Sequence, residues 1–283
     1  MNLDVLQSYE IGSRDHDFKP ADAILYALGL GYGSDPLDEG QLQFVYEGGL
    51  KAVPSMCNTI AHPGFWIDQP ELGIDFVKVL HAEQAFVIHS TIPPQGRMRA
   101  DYAVVSVEDK GADKGAMMRM EKKLSDRDTG ELFATVTQTL FLRGDGGQGG
   151  FGKIPAAAPA VPERTPELVS EIATLPQSAL IYRLSGDLNP LHASPAIARK
   201  AGFDRPILHG QCTMGIAARA IIEQVCEQRP ERLKFMSVRF SRPVYPGETI
   251  RTEMFRDGAT VSFRCRAVER DLVVLDRGQA SVE

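Results

Sequence analysis

The strongest constraint on the fold of this 283-residue chain is an internal repeat, because both halves present the same order of helical and extended segments. Residues 144–164, GDGGQGGFGKIPAAAPAVPER, separate the halves; they are rich in glycine, proline and alanine and have neither a helical nor a strand period. Such a composition is typical of a surface crossover. The sequence therefore predicts a first unit over residues 1–145, a crossover over 146–164 and a second unit over 165–283.

The extended segments show the repeat most clearly. Residues 86–96, FVIHSTIPPQG, and residues 237–247, SVRFSRPVYPG, each join a β-rich run to a turn containing proline and glycine, and further β-rich runs follow both. In one of these runs Val261, Phe263 and Cys265 alternate with polar residues, as expected of a half-buried strand. Chance similarity between two β-rich segments is the alternative explanation, but the shared order of elements favours a duplication.

Two apolar helical segments precede the strands in each half, at 23–31 and 50–61 in the first and at 178–186 and 210–228 in the second. The apolar residues of 210–228 recur at helical spacing, and polar residues are few on that face, which predicts a long and almost fully buried helix. Such a helix needs a curved sheet around it. We therefore predict an α+β fold in which each unit wraps an antiparallel sheet around a long helix.

Composition and charge limit the class of protein. Hydrophobic residues make up 43% and charged residues 24% of the chain, as in folded globular proteins. The net charge of −6 argues against a nucleic-acid binder, although a few placed cations can still bind phosphates. There is no signal-peptide pattern, no apolar run of about 18 residues and no terminal Ser-Lys-Leu, so we expect a cytoplasmic protein that does not enter the membrane. Reduced thiols fit this expectation, since no Cys-x-x-Cys pair occurs among Cys57, Cys212, Cys226 and Cys265.

Asp187 and His192 are the candidate catalytic residues. The helical segment before them ends at Gly186, and DLNPLH (187–192) then forms a turn, because Asn-Pro disfavours helix. A carboxyl group and an imidazole at the two ends of a tight loop can converge on one small volume. Gly210, at the start of the buried helix, offers an N–H that has no partner within the helix and has the helix dipole behind it. Such a donor contributes about 2.7–4 kcal/mol where negative charge develops on an oxygen.

These groups suit the hydration of an enoyl thioester. A base takes a proton from water, an acid protonates the α-carbon, and a donor holds the thioester oxygen as it becomes enolate-like; each positioned acid or base contributes about 10²–10⁴-fold. Asp187 and His192 can fill both roles by sharing one water molecule, and no metal or redox cofactor is required.

Each of these residues also has a simpler structural interpretation. Asp187 could merely form an Asx turn, and His192 could be a packed loop residue. His209 is interpreted as a buried, hydrogen-bonded histidine. Cys212 is better explained as helix core than as a nucleophile, because no base is arranged near it in the sequence.

Residues 178–215 closely resemble the hydratase 2 motif of the MaoC-like family, as found in the hydratase part of peroxisomal multifunctional enzyme type 2. The similarity extends over nearly the whole chain, in the family's order, through LHAEQ, VEDKG, FLRGDGG, LHGQCTMG and RFSRPVYPG. It implies a double hot-dog fold, usually in a homodimer. It also implies an acyl-CoA substrate and the reversible hydration of trans-2-enoyl-CoA to (3R)-3-hydroxyacyl-CoA, without a cofactor.

The resemblance assigns catalysis to Asp187 and His192, with Asn189 steadying the site between them. Gly210 matches the glycine whose backbone N–H polarises the thioester carbonyl. The positions that contact the CoA moiety or the acyl thioester in the family are occupied here by His81, Ala82, Lys110 and Phe240. An ammonium group at Lys110 suits a phosphate, and a solvated turn lysine is the alternative.

The sequence departs from the family in two places. Ala82 stands where the family has the glycine of His-Gly-Glu-Gln, and its methyl group narrows the approach to the ligand. The first half has Ser34-Asp35-Pro36 but no histidine to match His192. We therefore predict that the first half is non-catalytic and shapes a pocket for the acyl chain or CoA.

Two other functions compete with hydration. A hot-dog thioesterase would share the fold and the CoA ligand but attack the carbonyl carbon. A non-catalytic acyl-CoA-binding subunit would be expected to have a broken Asp/His pair. The intact Asp-x-Asn-x-x-His loop favours a hydratase over both.

Overall fold

Ten strands contributed by both halves form one antiparallel sheet in the computed structural model, which describes all 283 residues. The first half contains α1 (Leu3–Ser8), β1 (Gly12–Phe18), α2 (Pro20–Gly29), α3 (Glu39–Val45), β2 (Val79–Ile88), β3 (Gly96–Asp109), β4 (Ala116–Asp126) and β5 (Leu132–Leu142). The second half contains β6 (Leu168–Ala173), α4 (Ser178–Tyr182), α5 (Pro195–Lys200), α6 (Gly210–Gln224), β7 (Leu233–Phe240), β8 (Thr249–Asp257), β9 (Thr260–Ala267) and β10 (Leu272–Val282).

The strand order confirms the internal repeat. From the centre of the sheet outwards, the first half runs β2-β5-β4-β3-β1 and the second half runs β7-β10-β9-β8-β6, which is the same order in each. The halves join where β2 pairs with β7, in a register that sets Glu83 opposite Arg239 and Val87 opposite Phe235. The predicted α+β double hot-dog architecture is confirmed.

Helix α6 forms the centre of the second half. Every residue from Gln211 to Ile222 is buried, as the apolar pattern predicted. Gly215 allows the end of α2 to pack closely against α6, because a Cβ at this position would lie 2.5 Å from Leu30 Cδ2. A fully buried isoleucine such as Ile221 contributes about 1.5–3 kcal/mol relative to an exposed one. Packing of this kind fixes the start of α6 relative to the sheet.

The prediction of a second long helix at 50–61 is wrong. This segment contains only a five-residue 3₁₀ helix, Pro54–Asn58. The buried ammonium of Lys122, on β4, donates to the carbonyls of Cys57 and Ile60, so these carbonyls do not receive the N–H groups of a continuing helix. The backbone then turns at Ala61, whose φ is 53°. The first half therefore replaces the central helix with a short turn.

The segment between the halves runs without helix or regular strand from 152 to 167. It begins with an isolated bridge between Phe151 and Val107, and Arg277 donates to the carbonyl of Ala158. None of the helices has both the length and the apolar character needed to span a bilayer.

Candidate active site

The loop from Gly186 to His192 is built by short-range hydrogen bonds. Gly186 has a φ of 130°, which favours glycine, and it lets the chain reverse after α4. The Asp187 carboxylate then accepts from the N–H of Asn189 at 3.1 Å, and the Asn189 side chain accepts from the N–H of Leu191 at 3.0 Å. These two consecutive turns end in the 3₁₀ helix Pro190–His192. The predicted turn is therefore present, and Asn189 holds its middle.

The His192 imidazole is buried, and its contacts fix which nitrogen faces the site. Its Nδ1 lies 2.8 Å from the carbonyl oxygen of Ile207. A carbonyl can only accept, so Nδ1 carries the proton and donates. In the neutral ring Nε2 then keeps a lone pair and acts as an acceptor.

His209 lies directly against both candidate catalytic residues. Its ring stacks on that of His192, with centroids 3.7 Å apart and planes inclined by 27°. Its Nε2 donates to the backbone carbonyl of Asp187 at 3.1 Å. The side chain is 1% exposed, and Nδ1 is buried without a hydrogen-bond partner. The predicted buried, hydrogen-bonded histidine is confirmed, but its stacking on His192 is a new feature.

Asp187, His192 and His209 each present a ligand-type atom within 4.8 Å of the others. Burial acts to raise the pKa of Asp187, but the neighbouring imidazole of His209, the hydrogen bond from Asn189 and the His192 ring outweigh it, so the pKa lies below its usual value. Burial lowers the pKa of His192 and, together with the adjacent His192 ring, lowers that of His209 to about 4. Near neutral pH the cluster is thus one carboxylate beside two neutral imidazoles.

These three residues are of the types that bind divalent metals, but their geometry does not match a metal centre. Two imidazoles on one tetrahedral ion, with metal–nitrogen bonds of about 2.0–2.1 Å, hold their ring centroids about 5 Å apart. Here the His192 and His209 centroids are 3.7 Å apart, in a face-to-face stack. The arrangement is better suited to positioning a proton acceptor.

Gly210 begins α6 immediately after His209, which is the N-cap residue. A Cβ on Gly210 would lie 2.9 Å from the Phe240 ring, so the absence of a side chain brings the helix start close to this aromatic. Phe240 in turn contacts His81 edge to face, with centroids 4.6 Å apart. The structure therefore brings the predicted residues Gly210, Phe240 and His81 together.

His81 is held by a buried polar chain. Its Nε2 lies 2.9 Å from Gln84 Oε1, and Gln84 Nε2 donates to Asn58 Oδ1 at 2.9 Å. Burial lowers the pKa of His81 to about 4, so its ring is neutral. Ala82 follows at an irregularity in the β2–β5 pairing between His81 and Glu83. Such a bulge redirects the neighbouring side chain.

Lys110 is the predicted residue that the structure leaves outside this group. It is exposed in the turn after β3, and its ammonium pairs with the carboxylate of Glu108. A role in binding the nucleotide end of a ligand stays a prediction.

Sequence reasoning missed His62, which comes from the first half. A Cβ built on Gly186, at the start of the Asp187–His192 loop, would lie 3.4 Å from the Cβ of His62. Burial lowers the pKa of His62, while the nearby Asp187 acts to raise it. No short motif links residues 62 and 187, so only the packing of the two halves reveals this contact.

A cavity of about 310 Å³ opens between the halves beside this contact. The second half contributes the turn that leads into Asp187, and the first half contributes both polar and apolar side chains. Its apolar lining is formed by Leu25, Met56, Ile60, Ala61 and Leu184.

Both halves match known domains. Residues 16–144 match the MFE-2 hydratase 2 N-terminal domain, and residues 157–277 match the MaoC like domain. The chain is 35% identical to a peroxisomal enoyl-CoA hydratase 2 of Arabidopsis thaliana, across 97% of this chain and 93% of that protein. This chain belongs to the MaoC-like, enoyl-CoA hydratase 2 family.

Two further members of the family are similar to this chain over nearly its full length. The enoyl-CoA hydratase ChsH3 of Mycobacterium tuberculosis is 34% identical across 98% of this chain and 97% of that protein. The crystal structure of a MaoC-like dehydratase from Phytophthora capsici superposes with a TM-score of 0.88 at 33% identity, covering 100% of this chain and 99% of that one. This chain is therefore a hydro-lyase with the double hot-dog fold.

Gly210→Ala should lower the free energy of unfolding by about 1–3 kcal/mol, because the new methyl group would force the Phe240 ring out of place. Denaturant titration measures the loss. Phe240→Leu in the same chain removes the clash, so the double variant should lose less than the sum of the two single variants. If the losses in unfolding free energy of the two single variants simply add in the double variant, there is no steric conflict between position 210 and Phe240.

Proposed function

We propose that this protein is an (R)-specific enoyl-CoA hydratase, which adds water reversibly to trans-2-enoyl-CoA to give (3R)-3-hydroxyacyl-CoA. The observation that carries the proposal is the convergence of the Asp187 carboxylate and the His192 ring, beside the start of a buried helix. Two proton acceptors close together can hold one water molecule and leave its oxygen free to react. Membership of a hydratase family, with this pair intact, supports the assignment.

The reaction follows from the acceptors and the donor. The shared water donates one hydrogen bond to the Asp187 carboxylate and one to His192 Nε2. Its oxygen adds to C3 of the enoyl group while one of these two groups takes a proton. The electron pair of the C2–C3 double bond moves towards the thioester oxygen, where the Gly210 N–H stabilises the charge. Return of the proton to C2 completes the addition of water and restores the site. Only water and protons move, so the step draws on neither a redox group nor a metal.

We further propose that His81, Ala82 and Phe240 contact the thioester and the adjoining part of CoA. The His81–Phe240 contact and the position of Gly210 against the Phe240 ring support this assignment. Lys110 is proposed to bind a phosphate of CoA, in exchange for its ion pair with Glu108. Exposure of the lysine supports this role, because an exposed ion pair costs little to break.

The first half is proposed to be non-catalytic and to accommodate the acyl chain. The cavity of about 310 Å³ beside Gly186, with Leu25, Met56 and Ile60 in its wall, supports this proposal. Asp35, at the position predicted from the repeat, is exposed, and its carboxylate accepts only from the local N–H of Leu37.

A homodimer and a cytoplasmic location complete the proposal. The homodimer follows from the family resemblance and would sediment at twice the mass of one chain. The four cysteines are all free and buried, which fits a reducing compartment.

Asp187→Asn and His192→Gln should each lower kcat for enoyl-CoA hydration by about 10²–10⁴-fold, because each removes one of the two proton acceptors. Loss of absorbance from the conjugated thioester measures the rate, and calorimetry should show that acyl-CoA still binds. Near-normal turnover in either variant would contradict the assigned roles. Release of a free thiol by the unaltered protein would instead support the thioesterase.

The pH dependence of kcat/KM should show an acidic limb set by His192. Protonation of Nε2 removes the lone pair that accepts from water, so activity falls as the pH drops through the pKa of this ring. Burial lowers that pKa, which places the midpoint below the ordinary histidine value of about 6.5. Activity should therefore be level around pH 7, and a midpoint above 7 would contradict the proposed environment of His192.

Binding should saturate at one acyl-CoA per chain, because only the second half has the Asp/His loop. Titration calorimetry on the Asp187→Asn variant avoids turnover during the measurement. Two equivalent ligands per chain would mean that the first half also forms a complete site.

A further inference from the structure

His209 adjoins the three groups that the proposed reaction uses: Asp187, His192 and the start of α6. Its Nε2 donates to the backbone carbonyl of Asp187, and its ring covers one face of His192. It is also the N-cap residue of α6, directly before Gly210. The carboxylate, the imidazole and the helix N–H that hydration needs therefore all adjoin one buried side chain.

The His209 ring is buried and contacts two other rings. Tyr182 on α4 also contacts this ring, with centroids 5.1 Å apart and planes inclined by 48°. The side chain is 1% exposed. The charged and titratable groups that face it are Tyr182, Arg183, Asp187 and His192. Through these two contacts the His209 ring links α4 to the Asp187–His192 loop.

We infer that His209 is a positioning residue, which holds the Asp187 backbone through its N–H and the His192 ring through stacking. The two contacts have separate effects. The hydrogen bond holds the Asp187 carbonyl and leaves both carboxylate oxygens for the N–H of Asn189 and for the substrate water. The stack keeps water from one face of His192 and so maintains its neutral form. This inference rests on the proposed hydratase function for its kinetic consequences, but not for its structural ones.

Two substitutions separate these effects. His209→Phe keeps an aromatic ring between Tyr182 and His192 but has no N–H for the Asp187 carbonyl. His209→Gln can place an amide N–H near the position of Nε2 but removes the ring. His89→Phe is the matched control, because His89 is exposed directly after β2 and its side chain bonds only to the Thr135 hydroxyl.

We expect His209→Phe to lower kcat by about 10–100-fold with little change in KM, because Asp187 is no longer held in place. The acidic limb of its pH profile should stay where it is in the unaltered protein. We expect His209→Gln to keep more of kcat but to move the acidic limb to higher pH, because water then reaches the His192 ring. If His209 merely stabilised the fold, the same variant would not lower kcat while leaving the acidic limb of the pH profile unchanged, and the other variant would not do the reverse.

A second measurement does not depend on activity. The chain has six histidines, so the ring signals of His192 can be identified by their loss in His192→Gln and followed by NMR as the pH is changed. The pH at which half of the His192 rings are protonated should rise in His209→Gln and remain unchanged in His209→Phe and His89→Phe.

The outcomes separate this inference from the proposed function. If the unaltered protein hydrates no enoyl-CoA, the proposed function fails, while the NMR titration still decides whether His209 shields His192. If hydration is normal and His209→Phe matches His89→Phe in kcat, the hydrogen bond to Asp187 has no positioning role. An unchanged His192 midpoint in His209→Gln would overturn the shielding role.

Discussion

The burial of α6 is the constraint on which the rest of the second half depends. A helix covered from Gln211 to Ile222 has no side that tolerates water, so the sheet must curve around it. Its first N–H groups cannot be satisfied within the helix. The start of the helix lies next to the loop that carries Asp187 and His192, because its N-cap residue His209 contacts both. The position of the site is a consequence of how the core is packed.

The first half satisfies the same sheet topology without a central helix. The buried ammonium of Lys122 donates to carbonyls that would accept from backbone N–H groups in a longer helix. These hydrogen bonds hold the segment from Cys57 to Ile60 in place. Burial lowers the pKa of Lys122 to about 8, so the carbonyls must compensate for the loss of water around the charge. The Tyr102 hydroxyl also donates to the carbonyl of Ala61. This held segment meets Gly186, where the Thr59 carbonyl oxygen would lie 3.4 Å from a Cβ, so the first half contributes backbone as well as side chains to the site.

Local chemistry made much of the site predictable from sequence. The Asn-Pro pair and the glycine before Asp187 define a turn wherever they occur, and the glycine at 210 marks the start of a helix whose apolar pattern is unmistakable. The contacts that escaped prediction are all made over long stretches of chain. Lys122 reaches Cys57 from 65 residues away, and His192 stacks on His209 because the chain returns to the loop after α5. The helix predicted at 50–61 is absent for the same reason, because Lys122 on β4 donates to two of its carbonyls.

The hydrogen-bond donors of the site act on two separate groups, the thioester oxygen of the proposed substrate and the Asp187 residue, and the charges of the site explain this division. Under the proposed reaction, negative charge develops on the thioester oxygen while Asp187 already carries one, and two like charges in a dry site repel strongly. In the proposed reaction, the positive end of the 15-residue helix α6 acts through the Gly210 N–H on the thioester oxygen. Asp187 is stabilised instead by the N–H of Asn189, while His209 donates to its backbone carbonyl. A helix dipole directed at Asp187 would weaken it as a proton acceptor, so in the proposed reaction this division of donors serves both the carboxylate and the enolate.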